Sequence, residues 1–524
     1  MVVGKTGLYA WHPGPGRHPF LTLIPTGKSE AEQMRSNASG IGTRIKVRRG
    51  GRWSVLESLD SHSGPGQSLS PISIGLAGED KANFIALEWS DGVSQSESNL
   101  SKDKVHTVAE IQRQLASCPV VFAWDGSSYR FASDVLGVGG LGFFAEPGIY
   151  NPPRPFERYL MKADQLRPRD GRYLIKLTEP MEEAAYLDAA TIEVYDLPEG
   201  WSLALDERMG ADGPTVTGRA IAYRHSITPS RVTNQSGDDV TGLVWHRDER
   251  APDPGSIDHR FIGLLDDHQV LTLEFDEPIE TAGAVLLADG WLEYGYSQTV
   301  FAAWQAGKRY QAPSIEVRDQ DGLWHPLLTE FGYPAGMPKA MTVPLTNLPS
   351  GINALRLSTN MEIYWDRIQI VWEESLAGVS PISIQPVSAR IGKIGFPKRT
   401  TAEQRLPNYD YNDRAPYWDT KYQAGFYTAL GDAHELIEKV DGALAIIGGG
   451  EEIHLEFPAL APVQPGYERY FVLDFRGYAK DMDLYTEHGE TIAPLPSNLS
   501  LDTTALAHRN RLHERYNVRF QAGR

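Results

Sequence analysis

The chain has 524 residues, with 50 lysines and arginines against 68 aspartates and glutamates, so its formal net charge is −18. A chain of this length exceeds what one hydrophobic core supports, and roughly three or four domains are expected. The acidic balance repels phosphate groups, which argues against nucleic acid as a partner and against binding to anionic lipid.

The only cysteine is Cys118, which excludes an internal disulfide and a structural zinc site built from thiolates. No apolar run reaches the roughly 18 residues that a membrane-spanning helix needs, so we expect no membrane span. The first residues do not have the pattern of a signal peptide, and a fragment of a longer protein is one interpretation of this start.

Strand signals dominate, because apolar and polar residues alternate in many short runs. Each run places one apolar face inward and one polar face outward, and Gly- or Pro-containing turns separate the runs. This pattern predicts a mainly β protein, with several antiparallel β-sandwich or jelly-roll domains and few short helices, the latter starting near Thr107 and Asp432. In chain order, the alternating apolar residues are Ile45/Val47, Ile85/Leu87/Trp89, Leu271/Leu273/Phe275, Ile315/Val317, Met341/Val343/Leu345, Leu355/Leu357 and Ile368/Ile370/Trp372.

Three polar transitions rich in proline or glycine give the predicted domain boundaries. They lie near residue 117, across residues 247–257 and near Leu376. The resulting regions are 1–117, a β domain; 118–250, a β-rich domain; 251–376, a jelly-roll-like sandwich; and 377–524, a β-rich domain with a short helix.

The first of these regions carries an ordered set of short motifs between about residues 35 and 105. In order and spacing the set resembles the ASPIC/UnbV module, which commonly follows FG-GAP β-propeller repeats in bacterial exported proteins and in cartilage acidic protein. The usual histidine before the fourth motif, Ile74-Gly-Leu76, is Ser73 here, and the usual Trp-Pro-Ser-Gly is Trp89-Ser-Asp-Gly92. The motifs are Ser36-Asn-Ala-Ser-Gly-Ile-Gly42, Arg44-Ile-Lys-Val47, Gly66-Gln-Ser-Leu69, Ile74-Gly-Leu76, and Leu87-Glu-Trp-Ser-Asp-Gly92 with Gln95.

The resemblance implies location rather than chemistry. It implies an extracellular, periplasmic or cell-surface protein of a bacterium, with a β-propeller domain or subunit upstream. Stretches at 118–126, 332–339 and 359–367 also resemble sequence found downstream of such modules. No catalytic residue comes with the resemblance.

A set of aromatic and acidic residues in the third region is the first candidate ligand site. Aromatic rings stack against sugar faces while carboxylates accept hydrogen bonds from hydroxyls. Strand alternation over residues 360–366 places four polar side chains, Asn360 among them, on one face. The alternative interpretation is that the tryptophans are core and Asp366 is paired with an arginine. The candidate ligand-binding residues are Trp291, Glu293, Tyr294, Tyr296, Trp304, Glu362, Tyr364 and Asp366.

An enzyme acting on polysaccharide is a second hypothesis from the same residues. Glu362 and Asp366 are four positions apart, about 13 Å along a strand at roughly 3.3 Å per residue. Glycosidases need about 5–9.5 Å between their two carboxylates, so a catalytic pair would have to come from different strands. We therefore assign no catalytic residue.

Two further segments carry possible metal or acid–base chemistry. Asp410, Asn412 and Asp413 present oxygens in a run that would suit a structural Ca²⁺, although a calcium loop's glycine and final glutamate are missing. The alternative is a turn-forming loop. Glu452, His454 and Glu456 share one predicted strand face and could bind a metal or transfer protons, the alternative being a solvent-facing strand edge.

Three functions remain open at this point. The leading hypothesis is a non-catalytic extracellular recognition or assembly protein that binds a glycan or a protein partner. The others are a polysaccharide-acting enzyme that uses carboxylates of the 258–375 sandwich, and a structural subunit of a surface complex or filament. Calcium is the one cofactor we predict, as a structural ion.

Overall fold

The computed structural model describes residues 2–4, 7–9, 16, 18–28, 36–59, 71–90, 94–110, 118–161, 164–181, 183–210, 212–293, 295–375, 380–415, 422–496 and 499–523. The chain divides into two compact units, Met1–Arg113 and Gln114–Arg524. The predicted boundaries near residues 117 and 376 lie outside the described residues, as do the motif at 66–69, the end of the motif at 87–92 and Tyr294.

Seven of the nine strands described in the first unit form two sheets, and the other two, β1 and β2, pair with each other. A three-stranded sheet has the order β6-β3-β9, in which β3 and β9 run parallel, and a four-stranded antiparallel sheet has the order β5-β4-β7-β8. Alternate residues of both sheets, such as Leu21, Val47 and Ile85, form one buried core. The strands are β1 Val2–Gly4, β2 Gly7–Tyr9, β3 Phe20–Thr26, β4 Arg44–Arg49, β5 Arg52–Glu57, β6 Ile72–Gly75, β7 Lys81–Glu88, β8 Ser94–Ser101 and β9 Val105–Ala109.

The second unit contains the remaining strands and both α-helices found in the described residues. Its first strands are β10 Val120–Trp124, β11 Tyr129–Asp134, β12 Phe144–Glu146, β13 Ile149–Tyr150, β14 Phe156–Leu160, β15 Arg172–Thr178, β16 Glu183–Pro198, β17 Ser202–Leu205, β18 Ala220–Tyr223, β19 Ser226–Ile227 and β20 Arg231–Thr233. Then follow β21 Leu264–Glu274, β22 Ala284–Leu292, α1 Ser297–Gln305, β23 Ser314–Arg318, β24 Trp324–Leu328, β25 Lys339–Pro344, β26 Ala354–Met361 and β27 Ile363–Trp372. The last are β28 Ile382–Ile384, β29 Ser388–Lys393, β30 Phe396–Thr401, β31 Pro407–Ala415, β32 Gly425–Tyr427, β33 Gly431–Asp432, β34 Ala445–Gly448, β35 Glu451–Pro458, β36 Tyr467–Asp481, α2 Thr503–Tyr516 and β37 Arg519–Gln521.

The first sandwich of this unit is assembled from two distant parts of the chain. One sheet has the order β11-β10-β15-β35-β29-β33, and the other has β14-β36-β16-β28 with β34 also paired to β16. Residues 120–198 and 382–481 therefore supply both sheets, although the sequence analysis assigned them to separate regions. Their inward residues, including Ile175, Leu455 and Phe475, form one core.

The second sandwich is inserted between these two parts. Its sheets have the orders β19-β27-β22-β25 and β20-β21-β26-β23-β24, and its strands largely alternate between the sheets, as in a jelly roll. Leu271, Leu273, Ile368 and Ile370 fill its core, as their alternation predicts. The prediction of a mainly β chain with antiparallel sandwiches and few helices is confirmed.

The helices themselves are not where the sequence analysis expected them. Thr107 lies in β9 instead of at a helix start, and the residues after Glu110 that the predicted helix would occupy lie outside the described residues. Near Asp432 the structure has a single 3₁₀ turn, His434–Leu436. The actual helices, α1 and α2, were missed. No helix in the described ranges has both the length and the apolar character needed to cross a bilayer.

Candidate recognition surface

Most of the predicted ligand-binding aromatics are interior. Trp291 stacks on Tyr364 with ring centroids 5.6 Å apart and an interplanar angle of 15°, and both rings are buried beside Ala251. The indole Nε1 of Trp291 donates to the carbonyl of Gln404 at 2.7 Å. Tyr296 is also buried, at the N-terminus of α1. These rings offer no face to a sugar.

The acidic members of the set are held in a buried ion-pair network. Arg405 donates through Nη1 to Glu293 and through Nε to Glu362, each at 2.5 Å. The Tyr364 hydroxyl donates to Glu362 at 2.6 Å. Burial alone would lower the pKa of Arg405, but the two carboxylates raise it. Arg405 lies 43 residues after Glu362 and 112 after Glu293, so no local sequence pattern indicated this pairing.

Asp366 has a different environment. It accepts the backbone N–H groups of Asp248 at 3.0 Å and Glu249 at 2.9 Å. Burial, reinforced by the nearby Asp289 carboxylate, raises the pKa of Asp366 to about 6. The predicted single face is also interrupted, because Glu362 lies between the end of β26 and the start of β27.

The predicted calcium segment is a bulged strand rather than a loop. In the β30–β31 hairpin the partner of Pro397 is Arg414, whereas the next residue, Lys398, is opposite Asp410, so residues 411–413 bulge out. The Asp410 carboxylate accepts the N–H groups of Asn412 and Asp413, which lower its pKa. Asp413 pairs with Lys398 at 2.8 Å. Within the described ranges no group of three His, Cys, Asp or Glu residues could hold a metal ion; calcium stays a prediction.

The Glu452, His454 and Glu456 triplet lies in the middle of a sheet and not at an edge, because β35 is flanked by β15 and β29. Lys176 pairs with Glu452 at 2.7 Å, and His454 Nε2 contacts Glu456 at 3.3 Å. Burial, together with the Lys176 charge, lowers the pKa of His454. Tyr411 of the bulged hairpin also donates to Glu452 at 3.2 Å, so this face is partly covered.

Among the predicted ligand-binding aromatics that the structure describes, only Trp304 is exposed, and it belongs to a larger cluster. We define the aromatic surface as Phe144, Tyr150, Phe301, Trp304 and Tyr485. Phe301 stacks on Tyr485 with centroids 3.9 Å apart, and Phe144 meets Phe301 edge to face at 5.4 Å. Trp304 lies 5.8 Å from Phe301, and Tyr150 lies 6.4 Å from Phe144.

Three chain segments build this surface, and hydrogen bonds fix them together. The Phe144 N–H donates to the Ser297 hydroxyl at 3.1 Å, and Thr486 Oγ1 donates to the same hydroxyl at 3.1 Å. The Gln298 N–H, one of the free donors at the start of α1, donates to the Asp483 carboxylate at 2.9 Å. The rings are therefore presented on a fixed backbone.

Several apolar and aromatic side chains at this surface are exposed to solvent. Trp304 is 46% exposed and Tyr485 38%, and Leu484 beside it is 88% exposed. Ile149 and Tyr150, which form strand β13, are exposed as well. Exposed apolar patches of this kind mark interaction sites more often than isolated surface residues do. No local sequence motif predicts the aromatic surface, because its three segments are more than 150 residues apart in the chain.

A polar groove lies beside the C-terminal end of α1. Its volume is about 320 Å³, and its lining includes Asp266, Asp267, His268, Lys308 and Asn360. The acidic and imidazole groups come from a bulge in β21, where the register shifts between Leu264 and Gln269. His268 Nε2 contacts the Gln311 amide oxygen at 2.6 Å.

Comparison with known proteins bears on the first unit. Residues 33–115 match the family model described as ASPIC and UnbV. The chain carries an ASPIC/UnbV domain. In this domain the motif residues have structural roles: the buried Trp89 donates to Gln95 at 2.9 Å, and the Gln95 amide donates to the Ala109 carbonyl at 3.0 Å. These bonds connect the end of β7 to β8 and β9.

The comparisons with curated proteins and with two solved structures establish no relative of the whole chain. No curated protein matches the chain. Among solved structures, the mycobacterial arabinofuranosyltransferase AftD is 10% identical with a TM-score of 0.13, covering 88% of this chain and 32% of its own. An alpha-xylosidase of family GH31 from Xanthomonas citri is 10% identical with a TM-score of 0.15, covering 70% and 37%. This chain thus spans about a third of each of those chains, and TM-scores this low establish no shared fold.

Proposed function

We propose that this is a non-catalytic, exported recognition protein that binds a partner protein through the aromatic surface. The observation that carries the proposal is the exposure of Trp304, Tyr485 and Leu484 on a hydrogen-bonded, pre-positioned backbone. Tryptophan and tyrosine dominate the binding energy of protein interfaces when they lie on rigid elements, because little conformational entropy is lost on binding.

The aliphatic side chains in the same segments favour a protein over a glycan. Leu484 and Ile149 have no polar atom with which to hydrogen-bond sugar hydroxyls, yet both are solvent-exposed. A partner that buries them gains about 25 cal/mol per Å² of apolar area. Export is supported by the ASPIC/UnbV domain at 33–115.

A glycan ligand is the second candidate, and the polar groove favours it. Asp267, His268, Lys308 and Asn360 supply both donors and acceptors at the end of the helix that carries Trp304. A sugar stacked on Trp304 and hydrogen-bonded in this groove would use both features.

The test compares two tryptophan variants of the full chain. Trp304→Ala removes an aromatic-surface ring, while Trp245→Ala removes an exposed ring of the second sandwich outside that surface. Proteins of the exported fraction that bind the immobilised wild-type chain are identified, purified and titrated by calorimetry. We expect Trp304→Ala to weaken the interaction by about 2 kcal/mol, roughly 30-fold, and Trp245→Ala to leave it unchanged.

The same variants separate the alternatives. Affinity electrophoresis in gels that contain soluble polysaccharides tests the glycan hypothesis. It is supported if a polysaccharide slows the migration of the wild-type chain and of Trp245→Ala but not of Trp304→Ala. Equal partner binding by the two variants would exclude the aromatic surface, and reproducible turnover of any polysaccharide would contradict a non-catalytic role.

A further inference from the structure

The ASPIC/UnbV domain has an unusual open edge. Strand β5 pairs with β4 on one side, and no other described strand pairs with its second side. Trp53 is 41% exposed and Val55 54%, and both lie on the outward face of the sheet. The opposite edge of the same sheet, β8, has the polar sequence Ser-Gln-Ser-Glu-Ser-Asn-Leu-Ser.

Edge strands of soluble proteins are normally blunted by charge, proline or covering segments, because an open apolar edge templates further pairing. The centre of β5, from Trp53 to Leu56, has no charge and no proline, no described strand pairs with its outer side, and its charges are confined to its ends, Arg52 and Glu57. β8 has a charged residue, Glu97, near its centre, whereas the centre of β5 has none. A strand partner is therefore indicated for β5.

The ring of Trp53 is already positioned on the sheet. It meets Phe84 edge to face, with centroids 6.1 Å apart and an interplanar angle of 83°. Next to it, Lys46 pairs with Glu88 at 2.6 Å, so part of the charge on this face is neutralised within the sheet. A partner strand would thus meet an ordered apolar pair beside a locally balanced surface.

Charge distribution favours a second copy of this domain as that partner. Of the chain's 50 lysines and arginines 13 lie in residues 1–113, against 11 of its 68 aspartates and glutamates. The first unit is close to neutral, at a formal net charge of +2, and the second carries the whole negative balance of the chain. The first units of two copies of the chain can therefore approach each other without appreciable electrostatic repulsion. The second units of the two copies would repel each other strongly.

We propose that β5 pairs antiparallel with the β5 of a second copy, centred on Ser54, and joins two four-stranded sheets into one. Residues directly opposite in an antiparallel pair point to the same face. This register therefore places Trp53 opposite the partner's Val55, and Val55 opposite the partner's Trp53. Aromatic and β-branched cross-strand pairs are among the favourable ones in sheets.

Lysine substitutions at matched edges test the proposal. Light scattering of the full chain over a concentration series should show a monomer–dimer equilibrium. Val55→Lys should raise the dimer dissociation constant at least tenfold, because it puts a charge in the centre of the new pairing. Val105→Lys, on the edge strand β9 of the other sheet in the same unit, should change it less than twofold.

Cross-linking fixes the register. Ser54→Cys should oxidise to a disulfide-linked dimer, since directly opposite Cα atoms are about 4.5–5.5 Å apart and disulfides span about 4.4–6.8 Å. Ser39→Cys, in an exposed turn of the same unit, is the control, and the buried Cys118 is present in both. A chain that stays monomeric at all concentrations, equal effects of the two lysines, or equal cross-linking of the two cysteine variants would overturn the proposal.

Discussion

Arg405 shows how one residue can hold two buried carboxylates in place. Removing its charge leaves Glu293 and Glu362 without a cation in a buried setting, and breaking such a pair costs about 3–5 kcal/mol. We expect Arg405→Met to lower the free energy of unfolding by that amount in urea titrations.

Two controls accompany the Arg405 variant. Arg250→Ala breaks an exposed pair with Asp248 and should leave stability nearly unchanged. Adding Glu293→Gln and Glu362→Gln to Arg405→Met should recover part of the loss, because no buried charge then remains. If the triple variant is no more stable than Arg405→Met, uncompensated charge is not the cause.

Asp366 gives the protein a pH dependence with a definite sign. Its folded pKa of about 6 is above the ordinary value near 3.8. Between these values the unfolded state loses its proton first, so the contribution of Asp366 to stability is complete below about pH 4 and declines as the pH rises through 6.

Asp366→Asn isolates this contribution. Asparagine keeps an oxygen for the Asp248 and Glu249 N–H groups but cannot ionise. Relative to wild type, the variant should become more stable as the pH rises from 4 to 7, by up to about 1.4 kcal/mol per pH unit. Urea unfolding at pH 4.5, 5.5 and 7 measures this, and parallel stability curves for the two proteins would contradict it.

At the level of elements, α1 depends on a cap from a distant loop. Asp483 accepts the Gln298 N–H, whereas the capping residue of α2, Asp502, is local and accepts the Ala505 N–H at 2.8 Å. Asp483→Ala and Asp502→Ala should each cost about 1 kcal/mol of stability. Only Asp483→Ala should also weaken partner binding, because only α1 carries aromatic-surface residues. Equal binding by the two variants would show that α1 does not position the surface.

The strands were predictable where one face is buried and the other is not. Alternation placed Leu271, Leu273 and Phe275 correctly in the core. Alternation failed for β22, because every residue of this strand is buried. Whether a residue is odd or even in such a strand does not indicate which face could contact a ligand. That is why Trp291 was assigned to a binding surface.

The helices were missed for a related reason. Only Leu512 and Tyr516 of α2 are buried, so its sequence has almost no apolar stripe. The N-terminal donor of α1 is capped by Asp483, 185 residues later in the chain, which leaves no local capping signal. The aromatic surface could not be predicted from the sequence either, because its rings come together only in the tertiary structure.

For the whole molecule, the insertion determines which parts can fold alone. The second sandwich is continuous in sequence, whereas β15 of the first sandwich pairs with β35, about 280 residues later. A fragment of residues 199–375 should unfold cooperatively on heating, measured by circular dichroism. A fragment of residues 118–375 should give the same transition, with residues 118–198 digested in limited proteolysis. Protection of 118–198 in that fragment would contradict the prediction.

The insertion of one sandwich within the other also determines the order in which the two sandwiches can fold during synthesis. When β15 leaves the ribosome, its partner β35 is still about 280 codons from translation. At about 5–20 residues per second, the half-sandwich 118–198 waits roughly 15–55 s with its apolar face uncovered, while the inserted sandwich completes itself. Nascent chains should therefore need a holding chaperone during that interval, and moving the inserted sandwich to the end of the gene would remove the need.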